Sequence, residues 1–261
     1  MGEAAFSVNA ETCVRCGLCI KDCLVNIIEM RDVPAIAPEN AAKCIHCGHC
    51  QAICPTASIT LDGYASDTLE KIAGPLDAIA IQGLVKSRRS VREYSQESVD
   101  RSLLEQILAT ASYAPTATNA RKISYLVING RENVGKLLQA VLQIMQEHKF
   151  MENIVRDTLA GWDRIFRSAP CVLIAHAPEG APLGEADCAT ALATLELARP
   201  SYGLASCWAG FFTVVCGLET PHILPLPAGN KVFGALMLGK PTIAYKRIPF
   251  RDSPRIDWVE L

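Results

Sequence analysis

An α+β fold in two parts is what this sequence predicts, on three observations. Eight of its twelve cysteines crowd into residues 13–54 as two copies of one run, which marks a small, loop-rich N-terminal part. Beyond residue 85, helical and strand patterns follow one another without the regular strand–helix–strand rhythm of a parallel sheet. Half of the 261 residues are apolar and a fifth are charged, so there is material for a real core. The expected divisions are 1–62 for the cysteine-bearing domain, 63–84 for a connecting helical segment and 85–261 for the larger domain.

The cysteine runs are an internal repeat. Residues 13–28 read CVRCGLCIKDCLVNII and residues 44–59 read CIHCGHCQAICPTASI. All four cysteines, the glycine (Gly17, Gly48) and the last isoleucine (Ile28, Ile59) recur at an offset of 31. Each unit is C-x2-C-x2-C-x3-C. Three thiolates at that spacing on a looping backbone can wrap three corners of a cuboidal iron–sulfur cluster. Four thiolates also suit zinc, though zinc sites usually show two C-x2-C pairs and no third cysteine three residues on.

The whole repeat resembles the bacterial two-[4Fe–4S] ferredoxins. In that family the fourth cysteine of each run ligates the other cluster. The resemblance therefore implies one cluster on Cys13, Cys16, Cys19 and Cys54 and a second on Cys44, Cys47, Cys50 and Cys23, with metal binding coupled to folding. Pro55 follows Cys54 as the family pattern expects, but Leu24 follows Cys23. His46 and His49, inside the second run, are expected to be solvated loop residues.

Ser66-Asp67 can cap a connecting helix with apolar Leu69, Ile72, Leu76 and Ile79, broken at Gly74-Pro75. Lys86 to Arg92 then packs four cations and two hydroxyls into seven residues. If that stretch is extended, Arg88, Ser90 and Arg92 share one face, which suits a phosphate dianion. A helix capped near Ser98 follows, with Val99, Leu103, Leu104, Ile107, Leu108 and Ala111 on one side. Residues 114–119 form a turn, Ile123–Ile128 a strand, 132–147 an amphipathic helix and Cys171–Ala177 a strand. Ala186–Leu197 is a helix with few polar residues, so it is buried in a core or an interface. Strands are expected near 210–216 and 232–238. Cys171, Cys188, Cys207 and Cys216 are expected as small core residues, and His176 and His222 have no evident partner.

The larger domain resembles the nitroreductase family of FMN proteins. R-R-S-V-R at 88–92 resembles that family's phosphate-binding start. Ala114-Pro115-Thr116 through Asn119 resembles its flavin-contacting turn. Gly203 to Trp208 resembles its G-L-G-S-C-W stretch, Ala235 to Pro241 its A-L-M-L-G-Y-P strand, and Arg247-Ile248-Pro249 its C-terminal basic segment. The resemblance implies FMN contacts from Arg88, Arg89, Ser90, Arg92, Pro115, Thr116, Asn119, Ala209, Gly210, Lys246 and Arg247. It also implies a central, largely antiparallel sheet flanked by helices, and a homodimer. Two departures lie near the expected flavin or substrate mouth: Ala120-Arg121-Lys122 replaces the usual x-Gln-Pro, and Lys240 stands where tyrosine is common.

Several functions are excluded. The net charge of −2 shows no basic excess for nucleic acid. No G-x-G-x-x-G or P-loop occurs. The longest uncharged stretch, 200–218, is interrupted by proline and glycines, so no membrane span is expected. Without a secretory signal, the expected compartment is the cytoplasm. The expected activity is an FMN-dependent oxidoreductase exchanging electrons between two clusters and flavin to reduce a small molecule. A one-electron donor such as a ferredoxin would feed it, and residues 1–63, net −3, favour a donor with a basic face. An electron carrier and a reductive dehalogenase-type or flavin-destroying enzyme are the alternatives. No catalytic side chain is assigned.

Overall fold

A computed structural model of the chain describes residues 2–261. It divides into two compact units, Met1–Pro75 with Thr116–Ala120, and Leu76–Pro115 with Arg121–Leu261.

The first unit carries out the repeat in its backbone. Strands β1 (Phe6–Val8), β4 (Ile59–Leu61) and β5 (Tyr64–Ala65) form one antiparallel sheet, with Phe6 opposite Leu61. Strands β2 (Ile28–Met30) and β3 (Pro34–Ile36) form another. One-turn helices α1 (Leu18–Lys21) and α2 (His49–Ala52) each follow a left-handed glycine, Gly17 at φ 74° and Gly48 at φ 71°. A side chain there would be strained, so the glycine recurs with the motif. Arg15 and His46 (φ 54° and 50°) and Asn26 and Ala57 (both φ 51°) match in the same way.

The second unit is built on a four-stranded antiparallel sheet in the order β6–β7–β9–β8. These strands are Ser124–Asn129, Cys171–Pro178, Asn230–Gly239 and Ala205–Trp208 respectively. Strand β7 is buried on both faces, and its residues alternate between two apolar layers. Val172 and Ile174 face a layer with α5 (Arg131–Glu147), α6 (Glu152–Leu159) and α8 (Gly210–Leu218). Cys171, Leu173 and Ala175 face a layer with α4 (Arg101–Ala111) and α7 (Gly184–Ala198). Helix α7 contributes Cys188, Leu192 and Leu195 to that layer. The fold class is α+β, with helices flanking an antiparallel sheet.

Two local expectations are corrected. The run 210–216 is helix α8, and the strand before it is β8. Phe211 to Val215 favours strand by residue type, but Phe212, Val215 and Cys216 are buried at helical spacing, and the Phe212 ring packs 5.5 Å from that of Phe166. The connecting helix does not begin at Ser66, whose hydroxyl donates to the Ile59 carbonyl at 2.6 Å. Only a short 3-10 turn forms there, and α3 runs Ala78–Ser87 instead, capped by the Asp77 carboxylate, which accepts from the Ile79 and Ala80 N–H groups. Helix α4 is capped two residues past Ser98, by Asp100, whose Oδ1 accepts from the Leu103 N–H at 3.2 Å.

Candidate functional site

The first unit contains two cysteine-lined cavities. Cys13, Cys16, Cys19 and Cys54 line one. Cys23, Cys44, Cys47 and Cys50 line the other. The chain makes each set by crossing: three cysteines come from one run and the fourth from the other. All eight are free thiols. Among the described residues no three His, Cys, Asp or Glu side chains close on a point that one metal ion would fill. A cuboidal cluster makes no such demand, because each thiolate binds a separate iron.

Burial shapes the thiols. It pushes Cys19 and Cys44 up and Cys50 up to about 12, so as free side chains these hold their protons. A coordinating metal removes such a proton outright. Cys54 differs. Burial works to raise it, but N–H groups of Ser58 and Thr56 and their hydroxyls outweigh burial and hold it below its ordinary value. The Ser58 N–H donates to Cys54 Sγ at 3.3 Å and the His46 N–H to Cys44 Sγ at 3.4 Å. His46 is not a free loop residue: Nδ1 lies 2.6 Å from Asp62 Oδ2 and Nε2 lies 3.1 Å from the Gly2 carbonyl. His49 is exposed and stands 3.4 Å from Asp22.

The turn Thr116–Asn119 groups with the cysteine-bearing unit. Asn119 Nδ2 donates to the carbonyls of Ile45 and His46 at 2.9 and 3.0 Å. Both carbonyls lie inside the Cys44–Cys47 loop. Thr118 and Asn119 are left-handed (φ 50° and 53°), a geometry asparagine tolerates better than threonine. Pro115 is exposed and Thr116 half-buried.

In the second unit, residues 91–95 are held as an extended segment. The Val91 N–H donates to the Ser206 carbonyl at 3.0 Å and the Ser95 N–H to the Lys240 carbonyl at 2.8 Å. Burial raises the Cys207 thiol, and the Arg92 charge, the Ser90 hydroxyl and the Arg167 charge act on it in the opposite sense. Ser90 thus lies against the Cys207 thiol, and the charges of Arg92 and Arg167 both act on it. Arg167 was absent from the sequence expectations. Its left-handed backbone (φ 55°), on the turn that Asp163 organises by accepting the N–H groups of Ile165, Phe166 and Ser168, carries no motif.

Arg88 faces a buried carboxylate. Its Nη1 stands 3.6 Å from Glu196 Oε1, whose side chain is only 5% exposed. Glu196 also accepts from Ser206 Oγ at 3.0 Å and Trp208 Nε1 at 2.9 Å. Buried Arg199 donates to the carbonyls of Leu204 and Arg89, while its Nε has no partner among the described residues. Glu196 and Arg199 were also missed. The available cue was Glu196 among the mostly apolar residues that close α7, whose first turn carries Glu185 and Asp187.

Ala209 is buried and its N–H donates to the Ala235 carbonyl at 2.9 Å. Gly210 is exposed and opens α8, whose first turn has no side-chain cap. Lys246 and Arg247 lie exposed on the C-terminal segment and are not brought to Arg88–Arg92 by any hydrogen bond or ion pair among the described residues. Lys240 stands 3.2 Å from Glu97. Cys171, Cys188, Cys207 and Cys216 are buried in the core as expected. His176 is buried too, with Asn230 Nδ2 2.8 Å from its Nδ1.

Comparison with known proteins agrees with this division. The 4Fe–4S dicluster domain family matches residues 5–55 and the nitroreductase family residues 85–240. A nitroreductase with bound FMN from Bacteroides fragilis is 25% identical and superposes with a TM-score of 0.57, covering 69% of this chain and 98% of that one. An FMN-bound nitroreductase from Desulfitobacterium hafniense shares the fold at 23% identity, with a TM-score of 0.55 over 69% of this chain and 98% of that one. A protein from Methanothermobacter thermautotrophicus, provisionally named NADH dehydrogenase/NAD(P)H nitroreductase, is 25% identical over 65% of this chain and 82% of its own length. Over more than half its length the chain thus belongs to the nitroreductase family, whose members are FMN oxidoreductases, and it carries a 4Fe–4S dicluster domain ahead of that domain.

Proposed function

We propose that this chain is an FMN-dependent oxidoreductase whose two [4Fe–4S] clusters exchange single electrons with the flavin, so that a small aromatic or nitro compound is reduced at the flavin's expense. The observation that carries the reading is the pair of four-cysteine cavities on the same chain as a nitroreductase domain. Clusters move electrons singly, and a flavin exchanges them singly or in pairs, which is the chemistry the two groups supply when bound.

The chain's own residues have definite tasks in this reading. Cys13, Cys16, Cys19 and Cys54 hold one cluster, and Cys23, Cys44, Cys47 and Cys50 the other. Ser90, Arg92 and Arg167 hold the FMN phosphate, with Lys246 and Arg247 as further basic contacts. Arg88 and Arg89 act mainly through the Glu196–Arg199 group. Asn119, tied to the carbonyls of Ile45 and His46, links the expected flavin-contacting turn to the second cysteine loop. Gly210, exposed at the uncapped first turn of α8, is a further backbone contact in this reading. Arg92→Ala should weaken FMN binding about ten- to a hundredfold, the worth of one charge-assisted contact.

A second copy of the chain completes the molecule. Ile79 and Val85 of α3 are 79% and 53% exposed, and Phe250, Trp258 and Val259 of the C-terminal segment 83%, 90% and 75%. Apolar surface of that extent marks an interaction face. Twelve free cysteines suit the reducing cytoplasm. No helix among the described residues is long and apolar enough to cross a membrane.

Anaerobic stopped-flow spectroscopy tests the electron path. Reduced ferredoxin should bleach the FMN of the intact protein and do so much more slowly in Cys47→Ser. If NADH or NADPH bleaches both proteins equally fast while reduced ferredoxin fails with the intact one, the clusters are not the entry.

A further inference from the structure

The two cysteine runs match in sequence and backbone, so a side-chain difference at equivalent positions is a difference between two cluster environments. Thr56 and Ser58 follow Cys54. Val25 and Ile27 stand at the same places after Cys23. Thr12, before Cys13, is matched by Lys43 before Cys44.

The hydroxyls around Cys54 form a chain. Thr12 Oγ1 lies 2.8 Å from Ser58 Oγ, Ser58 Oγ 2.7 Å from Thr56 Oγ1, and Thr56 Oγ1 3.8 Å from Cys54 Sγ. A ligating cysteine is a thiolate and has no proton to give. Thr56 must therefore donate to Cys54, Ser58 to Thr56, and Thr12 to Ser58. All three O–H dipoles point towards one sulfur, and each polarises the next.

Nothing equivalent serves Cys23. Val25 and Ile27 have no polar side-chain atom, and Ile27 is buried. Backbone N–H groups reach sulfurs of both sets, those of Ser58 and Thr56 on Cys54 and of Ile20 on Cys19 in one, and those of His46 on Cys44 and Gln51 on Cys50 in the other. Asp62, beside His46, adds a negative charge near Cys44. Lys43 is exposed and held by Asn40 at 2.8 Å, so its opposing charge is screened. Hydrogen bonds to cluster sulfurs stabilise the more negative, reduced cluster and raise its potential, and a nearby carboxylate lowers it.

We infer that the cluster held by Cys13, Cys16, Cys19 and Cys54 has the higher potential of the two, and that the Thr56 hydroxyl, backed by Ser58 and Thr12, is the group that sets the difference. The inference rests on the crossed ligation proposed above. Each cluster gains one electron as one reduced ferredoxin is oxidised by one. The first electron to enter then rests on this cluster, and only the second populates the other, so the singly reduced protein is one species and not a mixture of two.

Redox potentiometry followed by electron paramagnetic resonance decides it, on the full-length protein purified anaerobically with eight irons. The wild type should show two separate one-electron waves. Cys16→Ser and Cys47→Ser, by losing or altering one signal each, mark which wave belongs to which cavity. Thr56→Val should move the upper, Cys16-marked wave to lower potential and leave the other in place. Thr56→Ser should restore it, and Val25→Thr should raise the lower wave. Ser58→Ala, a milder change, should move the upper wave in the same sense should Thr56→Val lose iron. A Cys16-marked wave that is the lower one, coincident waves in the wild type, or a Thr56→Val protein with both waves unmoved would overturn the inference. Movement of the Cys47-marked wave by Thr56→Val would instead show that Cys54 serves its own run, and the crossed ligation itself would fall.

Discussion

The first unit buries Cys19, Ile27, Ile28 and Ile59 as its apolar cluster, ringed by further cysteines. The second buries two whole layers, with Leu137, Val141, Phe166 and Phe212 on one side of the sheet and Ile107, Leu173, Leu192 and Leu195 on the other. A core as small as the first is far below what ordering that much chain costs. Metal–thiolate bonds can supply the rest, as they do in small metal-held domains generally. The two units thus answer the same entropic problem by different chemistry, and they should fail under different insults.

Iron removal should have the largest effect. Chelation of the reduced protein should abolish hydrogen-exchange protection in β1 and β4 while β7 and β9 keep theirs. Equal protection of Ile59–Leu61 before and after chelation would break the comparison, because the apolar cluster would then suffice alone.

Next comes a change confined to the second unit. Glu196→Ala removes the acceptor of Ser206 and Trp208 and the counter-charge of Arg88 beside buried Arg199. Breaking one side of a buried charged group costs about 3–5 kcal/mol. Scanning calorimetry should show the sheet unit melting earlier with the cluster absorbance unaltered. Glu196→Gln should cost less, since an amide can still accept from the indole. A loss of clusters together with the sheet would show that the units are not independent in stability.

How far the sequence foretold all this differs between the same two regions. In the first unit, the sorting of eight cysteines into two sets of four was legible because the repeat holds fixed residue types at fixed spacing, and the glycines recur because only they sit easily at φ near 70°. The hydroxyls of Thr12, Thr56 and Ser58 carried no motif, since any short polar residue in a loop looks alike until its partner is placed. In the second unit, the strands Cys171–Pro178 and Asn230–Gly239 were legible as apolar runs. Helix α8 was not, because Phe-Phe-Thr-Val-Val favours strand and only docking on Phe166 and the sheet makes it helical. Arg88 illustrates the limit for sites. A basic cluster shows that cations are present, but not that one of them faces a buried glutamate more than a hundred residues away.

Packing at one glycine gives a smaller test. A Cβ on Gly234 would lie 2.7 Å from Leu192 Cδ1 and 3.2 Å from the Trp208 ring. Gly234→Ala should therefore destabilise the sheet unit by about 1–3 kcal/mol, the usual cost of overpacking. The same substitution at Gly2, where nothing lies within 4 Å, should leave thermal unfolding unchanged.

The smallest effect expected is electrostatic and separates the units by pH. Asp157 accepts from Arg156 Nη2 and from Arg164 Nη1, each at 2.8 Å, and the Arg156 and Arg164 hydrogen bonds hold its carboxyl below the usual range. A carboxyl with a lowered folded-state pKa stabilises the protein above its unfolded-state value, about 3.9, and loses that contribution as pH falls through the lowered folded value. Asp157→Asn removes the charge at every pH. The difference in melting temperature of the sheet unit between wild type and variant should therefore be widest near neutrality and close on acidification below about pH 4. Added salt should narrow it at neutral pH, because the pair lies near the surface and is screened. A gap that persists unchanged into acid would assign the stabilisation to the shape of the side chain and its hydrogen bonds, leaving the charge with no part in holding the Trp162–Arg167 turn.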